Sequence, residues 1–241
     1  AAPVGRHLRR VGEDVQAGDT VLAAGTFLGA AQIGLLAAVG KERVRVRPRP
    51  RVVVISTGRE LVEPGQPLDL GQITDSNSFL LTTAAREAGA VAYRVAPVPD
   101  DERALLGRIQ DQLVRADMIV TSGGVSAGAY DVVKQVLSTV GTVTFDKVAM
   151  QPGMPQGFGT VGEEATPIFT LPGNPVSAFV SFEVFVRPAI RKMLGVSRLH
   201  RPSVKAVLQT TLRSPEGKRQ FARARWSPAP DGSYLVTPLA G

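Results

Sequence analysis

An α/β domain with a mostly parallel sheet is predicted for the middle of this 241-residue chain. Three observations predict it: short apolar runs of strand length, amphipathic stretches of helix length between them, and small glycine-containing polar loops after two of the runs. Buried strands separated by such helices form parallel sheets covered on both faces.

Taken in order, Arg6 to Val46 is rich in Gly, Ala and Val; GEDVQAGDTVLAAGT reads as short strands and turns, and AAQIGLLAAVG as a small-residue helix. Pro48 and Pro50 break regular structure and suit an extended linker. The apolar run Val52–Ile55 opens the main block as a strand. After it the pattern predicts a helix over Ser76–Ala88, a strand over Val91–Val98, a helix over Asp101–Val114, a strand over Met118–Thr121 and a helix over Asp131–Thr139. Val143–Phe145, Gln156–Gly159 and Ile168–Leu171 read as further strands, and Pro175–Leu194 as a long closing helix opened by proline and capped at Gly195. Residues 198–241 alternate in Val204–Leu208, Gln220–Trp226 and Tyr234–Thr237, with Pro, Asp and Gly between. That is β-meander material, expected to open a small all-β domain. The expected divisions are therefore 1–50, 51–197 and 198–241.

Composition narrows the chemistry. Cysteine is absent and histidine occurs only as His7 and His200, which excludes disulfides, thiol nucleophiles, Cys/His zinc sites and a central Ser-His-Asp triad. The net charge of +7 is unevenly spread: residues 1–50 and 198–241 are basic, and the middle is mildly acidic. With aromatics at 5%, the basic ends lack the stacking platforms of a nucleic-acid module, so no nucleic-acid partner is expected. No apolar run spans a bilayer, and AAPVGRHLRR lacks the apolar core of a signal peptide. A protein of the cytoplasm, without a membrane partner, is the expectation.

In open α/β sheets ligands bind beyond the carboxyl ends of the strands. Val52–Ile55 is followed by Ser56-Thr57-Gly58-Arg59-Glu60-Leu61, and Met118–Val120 by Thr121-Ser122-Gly123-Gly124-Val125-Ser126-Ala127-Gly128. Glycine lets backbone N–H groups approach an anion, so these loops read as phosphate or oxyanion binders, or else simply as tight turns. Gly34 to Gly40-Lys41-Glu42 is too long for a P-loop and lacks its Ser/Thr, and Gly123–Gly128 does not match GxGxxG, so a conventional ATPase or NAD enzyme is disfavoured. Glu60, Asp75 and Asp131 place carboxylates at the same edge, where they would suit a phosphate-associated Mg²⁺; Asp75 reads equally well as a helix cap. Proline brackets glycine in Gln151-Pro152-Gly153-Met154-Pro155 and Leu171-Pro172-Gly173-Asn174-Pro175, making rigid turns, and Lys147 stands ready as a fixed cation.

At these residues the chain resembles the molybdopterin molybdenumtransferases, the family of bacterial MoeA and of the gephyrin E domain. The matching motifs are STGREL (Ser56–Leu61), GQITDSNS (Gly71–Ser78), Asp100–Asp101, TSGGVSAGAYD (Thr121–Asp131), KVAMQPGMPQGFG (Lys147–Gly159) and LPGNPVSA (Leu171–Ala178). The resemblance implies a three-layer, MogA-like α/β domain between part of an elongated first domain and the start of a C-terminal β domain. The family's second domain and the end of its β domain fall outside these residues. The implied reaction inserts molybdate into adenylylated molybdopterin and releases AMP, with Mg²⁺ assisting. The resemblance assigns Glu60, Asp131 and Lys147 to catalysis, and Glu60, Asp75 and Asp131 to the metal. To the ligand it assigns Thr57, Gly58, Asp75, Ser122, Gly123, Gly124, Ser126, Pro152, Gly153, Pro155, Pro172, Gly173, Asn174 and Arg223. It further implies a homodimer and a MogA-like adenylyltransferase as partner. Where many relatives carry lysine in the PGxP loop, this chain has Gln151 and Met154. The competing readings are molybdopterin adenylylation on the same fold and a non-catalytic scaffold.

Overall fold

The structure, a computed structural model, describes residues 3–99, 101–123 and 129–239, with only the backbone for 129–132. It divides into two compact units, 1–47 and 48–241. In the first, helix α1 (Ala30–Ala38) is the one regular element among the described residues. The Gly29 N–H donates to Gln32 Oε1 at 3.1 Å and so closes its N-terminal turn. The strands expected before it are turns instead: GEDVQAGDTVLAAGT is bonded by short-range contacts such as Glu13 N–H to Arg10 O and Thr26 N–H to Ala23 O. A strand needs a neighbouring strand, and none pairs with this segment among the described residues.

The second unit runs β1 (Arg51–Thr57), β2 (Leu61–Val62), β3 (Ile73–Thr74), α2 (Asn77–Ala88), β4 (Val91–Val98), α3 (Glu102–Leu113), β5 (Met118–Ser122) and α4 (Ala129–Val140). It continues with β6 (Thr144–Lys147), β7 (Met150–Gln151), β8 (Pro155–Val161), β9 (Thr166–Leu171), α5 (Pro175–Ser181), a π-helical turn (Phe182–Val186) and α6 (Arg187–Met193). The central sheet has the order β4-β1-β5-β9-β8-β6. β4, β1, β5 and β9 are parallel; β8 and β6 add on antiparallel. The expectation of a mostly parallel sheet in an α/β fold holds.

Alternation along the strands buries both faces. Val52, Val54, Met118, Val120 and Leu171 pack against α2 and the closing helix through Leu81, Ala85, Phe182, Val186 and Ile190. Val53, Ile55, Ile119 and Ile168 pack against α3 and α4 through Leu105, Ile109, Val133 and Leu137. Asp101 caps α3 by accepting from the Ala104 N–H at 2.9 Å. The closing helix is not continuous α. Pro188 has no N–H to give to the preceding turn, and the helix widens into a π turn just ahead of it. It ends with Val196 N–H on Arg191 O and Gly195 N–H on Lys192 O, a paired closure of the last carbonyls around the expected Gly195.

Asp117, just before β5, accepts from the Arg51 backbone N–H at 2.7 Å and from its guanidinium at 2.8 and 3.1 Å, which ties the starts of β1 and β5 together. The guanidinium hydrogen bond is the largest influence holding the Asp117 carboxyl below its ordinary range. A carboxyl lowered on folding contributes stability above its unfolded pKa, and that contribution fades as pH falls from about 4. Urea unfolding at pH 7 and pH 3 should therefore show a larger acid loss in the wild type than in Asp117→Asn.

The last segment contributes β10 (Val207–Leu208), β11 (Arg219–Gln220), β12 (Ala224–Pro228) and β13 (Tyr234–Pro238). β12 and β13 form an antiparallel hairpin, but β10 joins β13 in parallel, and β11 leaves this sheet to pair with β7. The expected Tyr234–Thr237 strand is present, the expected Gln220–Trp226 strand is broken into β11 and β12, Val204–Leu208 shortens to β10, and the order in space is not a meander.

Candidate functional site

β1, β5 and β9 end side by side: Ser56 is in register with Ser122, and Ser122 with Leu171. The loops leaving them meet at Gly123, whose N–H donates to Leu171 O at 3.3 Å and whose φ is +94°. A Cβ at Gly123 would lie 2.2 Å from the Thr57 carbonyl oxygen, so STG and TSGG approach to a distance only glycine permits. Gly173 of the LPGN turn lies against the same residue, since its own Cβ would sit 3.4 Å from Gly123 Cα. Glu60 is exposed, and its carboxylate folds over Gly58, with both oxygens 2.8 Å from where a Cβ would be.

The DSNS segment opens α2 at this edge. Asp75 is 1% exposed. It accepts from the Ser78 N–H at 3.1 Å and from the Ser78 hydroxyl. Arg94 Nη1 stands 4.0 Å from it while donating to Glu63 at 2.8 Å, and the guanidinium lies over the Phe79 ring. Both oxygens of Asp75 thus face protein partners, an arrangement that braces the first turn of α2. Asn77 reaches further: its amide nitrogen donates to Ser122 Oγ at 2.8 Å and to Gly173 O at 2.7 Å. The Ser122 hydroxyl in turn donates to Pro172 O at 3.1 Å. Asn77 therefore cross-links three of the motifs.

Among the described residues, five polar atoms toward this edge are buried without a hydrogen-bond partner: Ser56 Oγ and Asn77 Oδ1 on the α2 side, Thr121 Oγ1 and Thr170 Oγ1 on the sheet face of Ile119 and Ile168, and Thr57 Oγ1. Buried polar groups are normally paired, so such a concentration at the carboxyl ends of parallel strands marks where a polar ligand would supply the missing partners.

A second group forms around the PGMP loop. The Gln151–Pro152 peptide is cis. Gly153 has φ +92°, and a Cβ there would come within 2.6 Å of Ser181 Oγ. Gln156 Nε2 donates to Gly153 O and to Ser181 Oγ, both at 2.5 Å, fastening the loop to α5. Lys147 lies opposite Pro155 in the β6–β8 ladder and is exposed. β11 pairs beside this loop, Phe221 N–H donating to Gln151 O at 2.7 Å; Arg223, exposed, follows two residues later. Asn174 caps α5, its Oδ1 accepting from the N–H groups of Val176 at 3.0 Å and Ser177 at 3.1 Å.

Of the expected site residues, Thr57, Gly58, Glu60, Ser122, Gly123, Pro172 and Gly173 thus cluster at the strand ends. Lys147, Pro152, Gly153, Pro155 and Arg223 gather at or beside the second loop. Asp75 and Asn174 serve as helix caps. Gly124 and Ser126 lie outside the described residues, as does the side chain of Asp131. Sequence reasoning missed Asn77, Arg94 and Gln156. The first stands inside the quoted DSNS motif, where an Asn beside an Asp and two serines reads as capping chemistry; the other two carry no local signal.

The profile of the family described as "probable molybdopterin binding domain" matches residues 53–192, and that of the "MoeA N-terminal region (domain I and II)" matches residues 1–40. Molybdopterin molybdenumtransferase 2 of Mycobacterium tuberculosis is 54% identical over 230 residues, covering 92% of this chain and 56% of the relative. Molybdopterin molybdenumtransferase 1 of the same organism is 46% identical over 241 residues, covering 100% and 57%. The chain thus spans a little over half the length of these curated relatives. Among solved structures, a molybdopterin biosynthesis MoeA protein of Pyrococcus horikosii superposes with a TM-score of 0.78 at 33% identity, covering 95% of this chain and 55% of that one.

Proposed function

The chain belongs to the MoeA family of molybdopterin-binding proteins, and from that premise we propose that it acts in molybdenum cofactor biosynthesis, in the insertion of molybdate into adenylylated molybdopterin with release of AMP. The observation that carries the site is the convergence of STG, TSGG and LPGN on Gly123, with DSNS joined to them through Asn77 and with Ser56 Oγ and Asn77 Oδ1 buried and unpartnered among the described residues. A ligand rich in donors and acceptors would complete them.

In this reading Lys147 and Arg223 face the anionic substrates, neutralising charge on phosphate and molybdate. Gly153, held by Gln156, keeps the PGMP loop rigid beside them. Asp75 holds the first turn of α2, and with it Asn77, in place. Mg²⁺ fits the donor chemistry of Glu60, an exposed hard-oxygen ligand, with Asp131 as its partner in the proposal. When bound, the ion would offset the charge of the phosphoanhydride. A homodimer, a cytoplasmic setting and supply of the substrate by a MogA-like adenylyltransferase complete the proposal on the strength of the family resemblance. No helix among the described residues is long and apolar enough to cross a membrane.

Calorimetric titration with adenylylated molybdopterin, followed by molybdate, tests the reading. Binding and molybdate-dependent AMP release are expected. Lys147→Ala should weaken binding about 10-fold or more, the loss expected for one charge-assisted contact. Failure of the wild type to bind either molybdopterin or its adenylylated form would overturn the proposal.

A further inference from the structure

We propose that Asn77 determines ligand specificity by reading the amino edge of the pterin ring, an inference that rests on the molybdopterin reading above. The argument starts from the orientation of its amide. The Gly173 carbonyl can only accept, so the Asn77 atom 2.7 Å away is the nitrogen. The Ser122 hydroxyl spends its proton on Pro172 O, so it too accepts from Asn77. Both amide protons are thereby used and the side chain cannot flip. Oδ1 is left as a fixed acceptor, turned away from both partners.

Asn77 is 8% exposed, and Oδ1 is buried without a hydrogen-bond partner among the described residues. It stands at the first position of α2, beside the carboxyl ends of β1 and β5. Ser56, in register with Ser122, contributes a second buried and unpartnered group. A rigid, desolvated acceptor selects for a donor and rejects an acceptor, because nothing else can relieve it. In molybdopterin the phosphate and the dithiolate offer acceptors at neutral pH, whereas the 2-amino group and N3–H of the pterin ring offer donors. Asn77 Oδ1 is therefore assigned the 2-amino group of the ring, the donor that the anionic tail lacks.

The test is competition against bound molybdopterin by pterin and by lumazine, which carries a carbonyl in place of the 2-amino group. On the wild-type chain, pterin should displace molybdopterin at a concentration about 10-fold or more below that needed for lumazine. In Asn77→Ala the two should become equivalent within about 2-fold, and in Ser122→Ala, which leaves Oδ1 and its tie to Gly173, the preference should persist. The ratio is read on folded, molybdopterin-binding protein, so general loosening, which weakens both competitors alike, does not imitate the effect. Equal competition on the wild type, or competition by neither, overturns the assignment even if Asn77→Ala fails to fold. The adenine of the adenylylated substrate also bears an amino group. An AMP/IMP preference that Asn77→Ala abolishes, with the pterin/lumazine ratio unchanged, would move the contact to adenine and likewise overturn it. Absence of molybdopterin binding by the wild type overturns instead the reading on which this rests.

Discussion

Gly123→Ala is expected to abolish ligand binding and to lower unfolding stability by about 2–5 kcal/mol, combining a left-handed backbone cost with steric overpacking. The backbone there has φ +94°, and the new Cβ would meet the Thr57 carbonyl oxygen at 2.2 Å. Relief requires β1 and β5 to part where Ser56 and Ser122 are in register, which breaks the convergence of STG and TSGG. Gly173→Ala is the control: its Cβ would rest 3.4 Å from Gly123 Cα, close to ordinary contact, and its φ lies outside the left-handed range. Its stability should stay within about 1 kcal/mol of wild type. Thermal melts of both variants, with molybdopterin titrations, decide the matter; a Gly123→Ala protein that melts and binds like the wild type refutes the site geometry.

Asp75→Ala should cost about 2–4 kcal/mol, because it removes the acceptor of a buried N–H and hydroxyl and leaves Arg94 with one carboxylate fewer. The carboxylate side chain is fully buried, and Ser78 supplies both of its direct hydrogen bonds. Arg94 keeps Glu63 at 2.8 Å, which holds the loss toward the lower end. Asp75→Asn retains an oxygen for the Ser78 N–H and should lose roughly half as much. Because Asn77 lies two residues further on, molybdopterin binding should fall in step with stability across the two variants. Urea unfolding and calorimetry on the same samples would show this, and an Asp75→Ala chain of wild-type stability would remove the bracing role.

Much of the α/β unit was legible in the chain itself. The Val91–Val98 strand appears with the expected bounds, and the helices at 77–88 and 102–113 lie within a residue of expectation, because periodicity and capping are local signals. The first forty-odd residues show the opposite case. VLAAG has the apolar content of a strand, but among the described residues no partner strand lies beside it, and turns result. Similarly, Gln220–Trp226 reads as one strand of a meander, yet the structure breaks it after Gln220, and Arg219–Gln220 pairs with Met150–Gln151 instead. This pairing sets Arg223 beside the PGMP loop.

By itself the sequence determined the main strands and helices of the central unit, though not β2, β3, β7 or the π turn, which loops carry glycine at the strand ends, and the family to which those motifs belong. Each is decided by neighbours a few residues apart. The tertiary structure alone decided that Asn77 meets Ser122, 45 residues on, and Gly173, 96 residues on, and that Gln156 fastens Gly153 to Ser181. It also decided that Asp75 turns both oxygens inward. Such partners depend on the order and register of strands brought together from distant parts of the chain, and a hydrogen bond acts over about 3 Å of space whatever the separation in sequence.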